Sequence, residues 1–218
     1  MTLDITVAPE PPRDGRLDRD LSAVLGWLRD DVGEPSEHIG RAGPVCPFVP
    51  GALNADAVRF SFHYGVDACD VDELRRLVSC ELRVFQRTTA PPKKSGISLH
   101  SLLVVLPDAT EEGWRRIDES YGTLKDLAVG AGLMIGQFHP ACAEPSVRNP
   151  SFPVSRSPRA LYAIRHMAPH DALFLHVEQR WFRTYAARFA SHARQPRTDP
   201  LVHELYRSAR ERHGRRQE

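Results

Sequence analysis

Residues 97–107 read ISLHSLLVVLP, and the unbroken apolar run from Leu102 to Leu106 is the stretch on which the fold turns. A strand with one wet face alternates apolar and polar residues. A continuous apolar run closed by Pro107 instead describes a strand covered on both faces. Covering both faces takes a helical layer on each side of a sheet.

The flanking sequence supplies those layers. DVDELRRLVSCELRVFQR (70–87) opens on Asp70 with Glu73 three residues later, a capping-box pattern. Leu74, Leu77, Val78, Leu82 and Phe85 then fall on one helical face. Before it, AVRFSFHYG (57–65) alternates Val58, Phe60, Phe62 and Tyr64 with polar neighbours, as a half-buried strand does. Leu21, Val24, Leu25 and Leu28 mark a helix within 17–32. Downstream, Trp114, Ile117, Tyr121 and Leu124 keep the helical period until Gly130 and Gly132 stop it. LMIGQFHP (133–140) and ALYAIRHM (160–167) read as two further strands, joined by a long proline-rich loop. A last helix is expected from His170, turning Phe174, Val177, Trp181, Tyr185 and Phe189 inward.

This order predicts an α+β sandwich with a mixed β-sheet of four or more strands covered by helices. A single domain is expected over 17–195. It is flanked by a polar, proline-rich, mobile N-terminus (1–16) and a basic C-terminal tail (196–218).

Composition excludes several classes. The chain has 218 residues, 41% of them hydrophobic, enough for one sizeable core. A formal net charge of +1 supplies no global field for nucleic acid or an anionic membrane. No stretch approaches the roughly 20 apolar residues of a membrane helix. The start MTLDITVAPEPPRDGR has no signal-peptide pattern. Cys46, Cys69, Cys80 and Cys142 form no CxxC pair, so a reduced, cytoplasmic protein is expected. Phosphate-loop, GxGxxG, GxSxG and HExxH motifs are missing from the sequence.

Three stretches carry candidate chemistry. In GPVCPFVPGAL (43–53), three prolines stiffen the backbone around Cys46, bracing that a metal-ligating thiolate benefits from and a packing thiol does not need. In GQFHPAC (136–142), His139 closes an apolar strand, and Pro140 forces the chain out of the sheet there. The segment RNPSFPVSRSPRALYAIRH (148–166) gathers Arg148, Arg156, Arg159 and Arg165, whose forks suit a carboxylate-bearing substrate or cofactor propionates. His139, Cys142 and Cys46, with His166 or His100 as a fourth, would also make a zinc set, although not at a standard spacing. The residues by themselves assign no catalytic group.

VCPFVPG, GQFHP and SRSPRALYAIRHM together resemble uncharacterised bacterial proteins that share CPF and FHP elements over about residues 43–175. More distantly, the CPF element is similar to the YqcI/YcgG family, some members of which are haem-dependent N-hydroxylases of small amino-acid-derived substrates. The resemblance implies haem b as cofactor, with His139 as the first choice of iron ligand and Cys46 as the second. Arg148, Arg156 and Arg165 would meet propionates or a substrate carboxylate, and Phe48 and Phe138 would wall the pocket. It implies a haem-dependent monooxygenase acting on a small amine- or amino-acid-like metabolite. The alternative is a non-enzymatic ligand- or partner-binding domain, with structural zinc or no metal. The expected partner is a small molecule, not a membrane or a nucleic acid, and a homodimer is left open.

Overall fold

A computed structural model describes residues 4–12, 14–92, 96–195 and 197–214. Five strands, β1 (Asp4–Ala8), β2 (Val58–His63), β3 (Ser101–Leu106), β4 (Leu133–Phe138) and β5 (Ala160–His166), form one sheet in the order β1-β2-β3-β5-β4. The first three are mutually parallel, while β5 lies antiparallel between β3 and β4. The fold is therefore the mixed-sheet α+β sandwich that the sequence predicts.

The central strand β3 is covered on both sides. Leu102, Val104 and Leu106 pack under α3 (Val71–Thr88) and α4 (Glu111–Gly130). Leu103 and Val105 pack under α1 (Arg16–Trp27) and α2 (Val49–Asn54). Asp70 caps α3 by accepting the Asp72 and Glu73 amides at 2.8 and 3.0 Å. The crossovers β1 to β2 and β2 to β3 step the same way across the sheet over opposite faces, so one of them has the rare left hand. The chain leaving β1 and the chain leaving β2 thus turn to opposite faces, which opens the sheet at its carboxyl end.

Three expectations need correction. Asp4–Ala8, assigned to the mobile N-terminus, pairs with β2 as an edge strand, with Ile5 and Val7 packed on the α1 side. The segment assigned to a basic tail carries α7 (Pro200–Gly214), which buries Val202, Tyr206 and Ala209. Residues 1–3, 13, 196 and 215–218 of these two segments lie outside the described residues. The last predicted helix is broken into α5 (Ala172–Leu175) and α6 (Gln179–Ala193). The break resets the phase, so Phe174 and Val177 are exposed, while Leu175, Phe182, Tyr185 and Phe189 turn inward.

Gly113, in the first turn of α4, sets how closely that helix seats. A Cβ added there would stand 2.7 Å from the Ala68 Cβ, nearer than real side chains approach. Gly113→Ala gains up to about 1 kcal/mol of helix propensity but forces overpacking that costs about 1–3 kcal/mol. We expect a net loss of about 1 kcal/mol, read as a lower urea midpoint at unchanged slope; a raised midpoint would contradict the close seating of α4.

Candidate functional site

The carboxyl ends of β3 and β4 and the start of β5 border a cleft of about 370 Å³. Its lining includes Arg16, Arg19 and Asp20 from the start of α1, Trp114 from α4, Pro140 after β4, and Arg159 before β5. That volume lies at the small end of the roughly 300–1,000 Å³ range of small-molecule pockets.

Asp20 holds the cleft wall together. The residue is 2% exposed, and a charge so placed requires partners. Arg159 Nε donates to Oδ1 at 2.7 Å, Tyr64 donates its hydroxyl to Oδ2 at 3.0 Å, and Arg16 Nε stands 3.6 Å from Oδ2. Burial first, and then Asp20, push the Tyr64 hydroxyl well above the ordinary tyrosine range. Arg16 also pairs with Asp108, whose Oδ2 accepts the Gly65 amide at 2.8 Å. Burial alone would raise Asp108, but Gly65 and Arg16 outweigh it and hold the carboxyl below its ordinary value. Among the described residues the Arg19 guanidinium reaches the outer Asp14, through its carbonyl at 3.1 Å and its carboxylate at 3.7 Å.

Beneath Trp114 sits His139, 2% exposed, its ring stacked on the indole at 5.8 Å between centroids. Its Nε2 meets Asp118 Oδ1 at 3.0 Å, and Gln137 Nε2 donates to the same oxygen at 2.8 Å. His139 Nδ1 is buried without a hydrogen-bond partner among the described residues. The Cys142 amide donates to the His139 carbonyl at 3.1 Å, a turn that returns the buried thiol toward the ring. Asp118, His139 and Cys142 each place a donor atom within 4.8 Å of the others. Burial pushes the Cys142 thiol above its ordinary value, against the hydrogen bond from the Glu144 backbone.

The structure does not bring Cys46 to His139. Cys46 and Phe138 pack with the core on the α1 side of the sheet, whereas His139 turns to the α4 side. Phe138 meets Trp27 edge-on at 5.4 Å. Phe48 stacks on His170 at 4.8 Å, with the Arg165 guanidinium 4.6 Å over its ring. Arg165 sits where β5 pairs with Met134, the far end of β4 from His139.

The arginines expected to meet propionates are engaged elsewhere. Arg165 forks onto the fully buried Asp171 at 2.6 and 2.8 Å, and Arg148 binds Asp199 at 2.6 Å. Arg156 is exposed. These residues do not assemble into a haem cradle. Nor do the other expected zinc ligands converge on His139. His166 closes β5 opposite Leu133, at the far end of the sheet, where Thr89 Oγ1 lies 2.9 Å from its Nε2. The bracing of Cys46 has a structural account, because its amide donates to Val32 O, and Val45 donates to Glu34 O, both at 2.9 Å.

Sequence reasoning missed a second cluster under α3. Ser61 Oγ donates to Glu81 Oε1 at 2.8 Å, and His63 Nε2 lies 2.8 Å from that oxygen and 2.9 Å from the hydroxyl. One imidazole nitrogen serves both partners. A nucleophilic relay needs the two ring nitrogens to serve different partners, so this triangle ties β2 to α3 rather than activating serine.

The sequence profile of the family described as Domain of unknown function (DUF6875) matches residues 21–199. Neither the curated proteins nor the solved structures include a match to the chain.

The buried imidazoles dictate an acid response. Burial holds His166 and His170 below the ordinary histidine value, Arg188 adding to this at His166 and Asp171 opposing it at His170. The unfolded chain therefore binds protons where the folded chain does not, and stability falls as pH drops below about 6.5. Glu81 and Asp108 are held low despite burial, by His63 and Ser61 and by Gly65 and Arg16 respectively. Their contribution is present above about pH 4 and is lost as pH falls through their folded values. Urea midpoints should decline from about pH 7.5 to pH 5; a flat profile there would contradict the neutral burial of His166 and His170.

Proposed function

The chain belongs to the DUF6875 family, and on that premise we propose that it binds a small carboxylate-bearing metabolite in the cleft at the carboxyl end of the sheet. The observation that carries the reading is the convergence of Arg16, Arg19 and Arg159 on one small cleft in which the lining carboxylate found among the described residues, Asp20, is already engaged. A guanidinium offers five donors in a fork that fits a carboxylate. Arg159 uses Nε on Asp20 and Nη1 on the Pro158 carbonyl, and among the described residues Nη2 has no hydrogen-bond partner and is open to a ligand. The start of α1 adds the partial positive charge of a helix N-terminus on the same side.

The haem-dependent oxidation implied by resemblance keeps one supporting observation, the unpartnered Nδ1 of the buried His139. It lacks the rest of its cradle, so the geometry favours the carboxylate reading.

Thermal unfolding with succinate and glutamate, and with the neutral diamide of succinate as control, tests the proposal. The two carboxylates should raise the midpoint with concentration, reaching about 2.7 kcal/mol at a hundredfold excess over Kd, and the diamide should not. Arg19→Ala leaves the Asp20 network intact and should abolish most of the gain without lowering the unliganded midpoint. No response to either carboxylate, or an undiminished response in Arg19→Ala, would refute it. A hemin titration in parallel should give no sharp Soret band; a band that shifts in His139→Ala would replace this reading with the haem one.

A further inference from the structure

We propose that Asp118, His139 and Cys142 form a binding site for a zinc-like divalent transition metal, at the end of β4 and against the cleft. Three observations meet there. The donors are a carboxylate, an imidazole and a thiol within 4.8 Å of one another. Tetrahedral zinc, with bonds of about 2.0–2.3 Å, brings its ligands to about 3.5 Å apart, so the donors need close by little more than an ångström. Asp118 can make that adjustment, because its side chain is 44% exposed on the surface of α4.

The second observation is the imidazole itself. Its Nε2 is the nitrogen that faces Asp118, 3.0 Å from Oδ1, so a metal among the three donors takes Nε2 in place of that hydrogen bond.

The third is that the surroundings fix each donor. Trp114 holds the ring plane from one side, and Gln137 orients the Asp118 carboxylate by donating to Oδ1. The turn from His139 to Cys142, closed by the 3.1 Å amide bond, fixes the spacing of ring and thiol. Such outer partners are what metal ligands require to keep their orientation.

The donor set points to the metal class. Thiolate plus imidazole disfavours magnesium and calcium and suits zinc, or cobalt in its place. Three protein ligands leave a fourth position open, the arrangement of catalytic rather than structural zinc sites. Trp114 and Pro140 belong both to the surroundings of this cluster and to the cleft lining, so the site adjoins the proposed ligand pocket without depending on it.

Chelator-treated full-length protein titrated with cobalt chloride tests the site. One equivalent should bind, with tetrahedral ligand-field bands in the visible and a near-ultraviolet thiolate-to-cobalt band. Cys142→Ser should remove the thiolate band. Asp118→Asn should weaken binding at least about tenfold while the circular dichroism stays that of the parent. Should Cys142→Ser fail to fold, the thiolate band of the parent and the Asp118→Asn affinity still decide the matter. Cobalt bound without a thiolate band, an Asp118→Asn affinity equal to the parent's, or no stoichiometric binding would each overturn the site. The carboxylate response of the cleft is read on chelated protein and with Arg19→Ala, so either proposal can fail alone.

Discussion

The buried carboxylate of Asp20 is the constraint on which the carboxyl end of the molecule depends. An ion removed from water costs several kcal/mol unless its lone pairs are met, and Asp20 is met from three directions. Arg159 comes from the approach to β5, Tyr64 from the exit of β2, and Arg16 from one turn earlier on α1. Arg16 extends the chain of charges to Asp108 at the exit of β3, and Asp108 holds the Gly65 amide beyond β2. Segments scattered from residue 16 to residue 159 are fixed by this one network, and the cleft is the space they enclose. Hydrophobic packing sets the sheet between its helices, but it does not determine where the strand exits stop. The polar network does.

How much of this was legible in the sequence follows from the range of each signal. The buried β3 run, the strand β2, the capped α3 and the apolar stripe of α4 each carry their evidence within a window of ten to twenty residues, and each is where its pattern places it. The missed elements lack such a window. β1 is five residues long and reads as a strand only against β2. α2 spans six residues among prolines, too short to show a period. α7 hides its buried stripe of Val202, Tyr206 and Ala209 among arginines. The last predicted helix failed differently, because its two halves share a spacing that the break before Gln179 puts out of phase.

The site divides along the same line. His139 was visible because a strand that ends in His-Pro marks where a chain leaves a sheet, and Cys142 because it follows within one turn. Asp118 was not visible. It is a half-exposed acid on a helix rich in acids, and its meaning comes entirely from Gln137 and His139 across the interface. Asp20 was hidden in the same way, by a partner 139 residues distant. Cys46 shows the converse error. Its bracing is real, but it serves the backbone pairing with Val32 and Glu34, a role indistinguishable in sequence from that of a ligand loop.

Strand alternation explains why the Cys46 and His139 stretches do not share a pocket. Successive residues of β4 point to opposite faces, so Phe138 enters the core beside Trp27 while His139 turns under Trp114. One step along the chain therefore separates two environments that a short motif presents as a unit. The same alternation gives the cleft unlike walls. On the α1 side it is bounded by guanidinium groups anchored to a buried acid, and on the α4 side by the indole that covers an imidazole, a carboxylate and a thiol. These walls meet only at the carboxyl end, where the sheet stops and no strand keeps the two faces apart. The guanidinium groups and the Asp118, His139 and Cys142 side chains come near one another there because α1, the exits of β3 and β4 and the entry to β5 meet at that edge.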